Sequence, residues 1–102
     1  MIYDVLKRIG FLAEQLQNNE YLLNSSHYEK IDNALNLLCK IERVHSTRGL
    51  AGIIEIVDGL TWHDDCETKC KSFICEINEA KELLTSVCAD IEHDPSHKAG
   101  PC

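Results

Sequence analysis

The segment Thr61–His93, TWHDDCETKCKSFICEINEAKELLTSVCADIEH, decides the fold class. Within it His63, Cys66, Cys70, Phe73, Ile77, Ala80, Leu84, Val87 and Ile91 recur at alternating steps of three and four, the repeat of one face of an α-helix. Thr61 with Asp64 three residues on has the form of a capping box, and neither proline nor glycine follows until Pro95. The pattern predicts one amphipathic helix over 61–93. A helix of that length spans roughly 48 Å, whereas a compact domain of about 100 residues is roughly 35 Å across. The far end of the stripe, Leu84, Val87 and Ile91 with Leu83 and Cys88 beside it, then needs a cover. A second copy of the chain, in a homodimer, is the simplest one.

Upstream, two more stripes repeat the helical period. Ile2, Val5, Leu6, Ile9, Leu12, Ala13 and Leu16 form the first, with Gly10 inside it at a cost of up to about 1 kcal/mol relative to alanine. Ile31, Ala34, Leu35, Leu38 and Ile41 form the second, widened by Leu37 and Val44. Ser26 and Glu29 form a capping-box pair for its start, and Gly49 is a suitable terminal glycine. The short link at Asn24-Ser25-Ser26 favours an antiparallel αα-hairpin. Residues 50–60 contain the strand-like run Ile53-Ile54-Glu55-Ile56-Val57, but Leu50, Ile53, Ile54, Val57 and Leu60 also share a helical face. A lone strand would have no partner, so a short helix is expected. The fold class that follows is all-α: an antiparallel bundle of three main helices and one short one, with a long C-terminal helix. Residues 1–93 form the domain, and 94–102, with two prolines and a glycine, form a mobile tail.

The composition, 44% hydrophobic and 26% charged over 102 residues, is that of a single globular domain. No apolar run has the length of a membrane span, and no basic-apolar-small pattern of a signal peptide opens the chain. A cytoplasmic location with reduced thiols is therefore expected for the six cysteines, rather than three disulfides. Charge is divided unevenly. Residues 1–50 hold six acids and six bases, and residues 51–102 hold eleven acids and four bases, which accounts for the net charge of −7. Such a surface repels nucleic acid and anionic membranes, and its complement is a protein with a basic surface.

The sharpest chemical grouping is His63, Cys66 and Cys70, which share a face if helical. Imidazole and thiolate suit zinc, with Glu67 as ligand or hydrogen-bond acceptor and Cys39 or His45 as a possible fourth ligand. The spacing is not that of a zinc motif, and buried cysteines commonly act as small hydrophobes, so core packing is the preferred reading and no metal or cofactor is assigned. Cys75 falls off the stripe and is expected to be partly exposed. Glu76, Glu79 and Glu82 at three-residue steps read as a solvated helix face, not as a di-metal site, which draws carboxylates from facing helices. His93, His97 and Cys102 belong to the tail. No phosphate-binding glycine loop or nucleophile-base pairing is present. Trp62, the only tryptophan, either closes the end of the core, the preferred reading, or anchors a partner.

These features lead to a small acidic, non-enzymatic protein that acts by binding another protein. By composition alone it suits an inhibitor or regulator of the kind made by phages and mobile elements. The contact surface is expected around Trp62, Asp64 and Asp65 and on Glu76, Glu79 and Glu82. The alternatives are a zinc-binding helical protein using His63, Cys66 and Cys70, and an acidic mimic of nucleic acid.

Overall fold

The computed structural model describes residues 1–43, 48–62 and 64–92. Among these the chain is an all-α bundle without strands. Its helices are α1 (Ile2–Asn18), α2 (Ser25–Cys39), α3 (Gly49–Thr61), the single turn α4 (Cys66–Cys70) and α5 (Ile74–Glu92). Short 3-10 turns at Glu20–Leu22 and Lys71–Phe73 complete it. The particle is elongated, 46 × 28 × 19 Å.

The helical stripes form the core. Leu6, Ile9, Leu12, Ala13 and Leu16 of α1, Ile31, Ala34 and Leu38 of α2, and Ile77, Ala80, Leu84, Val87 and Ile91 of α5 are all buried. Residues 50–60 are helical, as expected, but the inward face is turned slightly. Ile56 is buried, while Ile54 is only half-buried against the core.

The long helix expected over 61–93 is broken. Thr61 is the last residue of α3. Its hydroxyl donates backward to the carbonyl of Val57 at 2.9 Å and is also near that of Asp58, so it caps nothing ahead of it. The last helix starts at Ile74. Its 19 residues still make it the longest, but it is only about 28 Å long at 1.5 Å per residue. Leu84 and Val87 are fully buried and Ile91 nearly so within one chain. The uncovered end that called for a second copy is thus absent.

Two boundaries also shift. The second helix is capped by Asn24, not Ser26. The Asn24 side-chain oxygen accepts from the His27 backbone N–H at 3.0 Å, and His27 Nδ1 accepts from the Asn24 backbone N–H at 3.2 Å. Histidine here fills the role usually taken by glutamate. We expect Asn24→Ala to cost about 1 kcal/mol and to lower Tm by about 4–8 °C, with Ser26→Ala staying within about 0.5 kcal/mol. Thermal melts of the two variants compare the two cap assignments directly. Gly49 does adopt a left-handed φ of 62°, but it opens α3, because α2 has already ended at Cys39. Val44 and 45–47 lie outside the described residues.

The expected α1–α2 hairpin is replaced by a diagonal arrangement. Both α1 and α2 pack against α3 and α5, and hardly against each other. Gly10 explains part of this. A Cβ there would stand 3.2 Å from Val57 Cγ1, so the missing side chain lets α1 lie close to α3. At the other end a polar cluster joins α2 to α5. Lys30 Nζ donates to Ser86 Oγ at 2.9 Å and lies 3.7 Å from Asp90, and the Nε2 of the buried His27 is 3.6 Å from the same carboxylate.

Candidate functional site

Trp62 follows α3 directly, and the turn that breaks the expected long helix contains Asp64 and Asp65. The preferred expectation placed Trp62 in the core. Instead its side chain is 86% exposed, more than any other large hydrophobic residue among those described. Helix α3 ends there, so the indole is carried past the packed face instead of onto it. Asp64 and Asp65 are exposed beside it, as is Asp58 one turn earlier on α3. The exposed indole thus has three exposed carboxylates within four residues of it along the chain.

The other acidic candidates do not join this group as one row. Steps of three on a helix rotate by about 60° each, so Glu76, Glu79 and Glu82 fan around α5. Glu76 is half-buried and the other two are exposed. Glu79 lines a groove of about 300 Å³ toward α2 with Asn33, Asn36, Leu37, Lys40 and Leu83. Glu82 borders a shallow depression of about 560 Å³ toward α1, together with Arg8, Lys81 and Thr85. Glu79 and Glu82 therefore share their surroundings with cations, unlike a line of phosphate-like charges.

Cys66 and Cys70 are in the core, at 4% and 0% exposure, as the packing reading expected. They begin and end α4. Burial, the largest influence, pushes both thiols up, Cys70 to about 11. At the same place Lys69 Nζ meets Glu42 Oε1 at 3.1 Å. A Cβ on Gly59 would collide with the Glu42 carboxylate, so that glycine makes room for the ion pair. Among the described residues no three of His, Cys, Asp or Glu converge as a metal would require. Cys39, at the end of α2, is half-buried. His63 and His45 lie outside the described residues, as do 93–102 with His93, His97 and Cys102. Cys75 is exposed and Cys88 half-buried, and burial also raises the Cys88 thiol.

Two surface features escaped the sequence reading. Tyr3 and Phe11 are exposed on α1, with Lys7 Nζ 5.9 Å above the Tyr3 ring and Arg8 Cζ 5.5 Å from that of Phe11. Aromatic and basic residues four and three apart were the available signal. Buried His27 was missed as well. Its signal is its place three residues after an asparagine.

Among the described residues no helix is long and apolar enough to cross a membrane. No family model matches this chain, and none of the curated proteins or solved structures is significantly similar to it.

Proposed function

We propose that the protein acts by binding a partner protein through Trp62 and the neighbouring carboxylates, and that the partner presents arginine or lysine there. The observation that carries this reading is the exposure of Trp62 beside Asp64 and Asp65. A bare indole loses apolar surface to water unless something covers it, and it contributes no core packing in return. Its face attracts cations, most strongly when nearby carboxylates share the same guanidinium or ammonium. Tryptophan is also the residue type most enriched where binding energy concentrates. The net charge of −7 adds long-range attraction for a basic partner. Action as an inhibitor or regulator fits a small binder of this kind.

The test is the affinity of a labelled arginine-rich peptide, measured by anisotropy against an acidic control peptide. Trp62→Ala is expected to weaken binding about thirtyfold, the size of a loss of about 2 kcal/mol at an anchor. Asp64→Asn with Asp65→Asn should weaken it less and flatten its salt dependence. Equal affinity for the native chain and Trp62→Ala would remove the reading.

Self-association has lost its length argument, since α5 is covered within one chain. Sedimentation at micromolar concentration, with reductant, is expected to give the mass of one chain. A dimer mass that persists in Trp62→Ala would put α1, with Tyr3 and Phe11 exposed, at the interface.

A further inference from the structure

We infer that His27 is a proton-operated latch, independent of the surface at Trp62: on taking up a proton, its ring gives up the N-cap of α2 and bonds Asp90 of α5 instead. Among the described residues His27 is the one buried polar side chain, and both of its ring nitrogens face a partner. Nδ1 accepts from the Asn24 backbone N–H at 3.2 Å and closes the capping box. A nitrogen that accepts carries no proton, so the neutral ring holds its proton on Nε2. That nitrogen lies 3.6 Å from Asp90 Oδ2, just beyond hydrogen-bond reach.

A second proton can enter only at Nδ1. It turns the acceptor of the cap into a donor and sets two N–H groups against each other across 3.2 Å. The Asn24 N–H can let go at little cost, because Asn24 is exposed and water replaces the ring. On the other side the imidazolium gains Asp90, since a charge-assisted bond is shorter and stronger than the neutral contact. The ring thus closes the gap to Asp90 as it leaves Asn24. Lys30 competes for that carboxylate from 3.7 Å, but its ammonium also donates to Ser86 Oγ at 2.9 Å and can stay there. The Glu20 carboxylate, on the turn before α2, accepts from the Tyr28 hydroxyl at 3.3 Å. The two acids of α3, the other helix packed on α2, lie on its exposed face. Asp90 is therefore the acidic partner of the ring among the described residues. The other half of the box, Asn24 Oδ1 accepting from the His27 backbone N–H at 3.0 Å, does not involve the ring. Helix α2 accordingly keeps its start, and only its joint to the turn Glu20–Leu22 loosens.

The experiment follows the isotope-labelled full chain by NMR from about pH 7.5 to about 4.5, the range that spans imidazole titration, with circular dichroism alongside. At the upper end the His27 ring nitrogens are expected to show a proton on Nε2 and none on Nδ1. As the ring titrates, protection of the Asn24 amide against exchange, corrected for the intrinsic effect of pH, should fall about fivefold. Asp90→Asn should move that fall to lower pH, since the imidazolium loses its partner. His27→Gln, which can fill the same place in a capping box without titrating, should keep the Asn24 amide protected throughout. A proton on Nδ1 at the upper end overturns the latch, as does Asn24 protection that stays constant while the ring titrates. A ring that remains neutral over the whole range, or a loss of helix in step with its titration, also overturns it. So does the same fall in His27→Gln, or a fall at unchanged pH in Asp90→Asn.

Discussion

Leu84→Ala is expected to destabilise the protein by about 3 kcal/mol and to lower Tm by roughly 12–24 °C. Leu84 is fully buried on α5, the helix against which both α1 and α2 pack. Truncation leaves a cavity between elements that are distant in sequence and cannot close over it by a local shift. The effect should be the same at micromolar and at tenfold higher protein concentration. A concentration-dependent Tm would mean that a second chain helps to cover α5. A loss below about 1 kcal/mol would mean that Leu84 is not in the core at all, and the packing of α5 would have to be redrawn. The contrasting variant is Trp62→Ala, which removes a larger side chain but should stay within about 0.5 kcal/mol, because that side chain buries almost nothing.

The second large effect is chemical. Cys75 should react with a thiol reagent at the rate of an open-chain cysteine, and Cys70 at least about a thousandfold more slowly at pH 8. Two factors multiply. A thiol raised from 9.0 to about 11 carries about a hundredth of the ordinary thiolate fraction at that pH. The fully buried sulfur must also wait for an opening of the fold. Mass spectrometry of timed samples separates the two sites. Similar rates would show that α4 does not stay packed. The same thiols bear on alkaline stability. A group whose folded pKa lies above its unfolded value stabilises the fold below the unfolded pKa, and that contribution is lost as pH rises toward the folded one. Stability should therefore fall between about pH 9 and 11, and less so in Cys70→Ala.

The helical stripes could be read residue by residue, because hydrophobic period reports which face is buried wherever a helix is amphipathic. The break at 62–65 could not. His63, Cys66 and Cys70 keep in phase with Ile77 and Ala80, and a short helix followed by a 3-10 turn preserves that phase closely enough to read as one helix. No glycine or proline marks the interruption. At the break the Thr61 hydroxyl bonds back into α3 and so does not cap a following helix, which Thr61-x-x-Asp64 does not disclose. Gly49 was read as the glycine that ends the second helix, but it opens α3, since a glycine says where the chain turns and not which neighbour it serves. The cap at Asn24 was missed because His27 is an unusual partner. The carboxylates near Trp62 were found by charge alone. That the indole faces water depends on where α3 stops, and the apolar pattern does not carry that information.

The diagonal placement of α1 and α2 has a consequence for how the chain comes to be folded. Helix α1 skips its neighbour α2, and both rest on α3, which follows α2 directly, and on the distant α5. During synthesis the first 43 residues therefore have little to pack against, and an isolated amphipathic helix of 15–17 residues is marginal in water. Helix α3 offers both a first partner, and α5, the last helix to emerge, completes the core by closing long loops around α1 and α2 together. Until then the apolar stripe of α1 stays open to other chains or to chaperones. The bundle is thus completed late, and a fragment ending before Ile74 lacks one of the two helices on which α1 and α2 both rest.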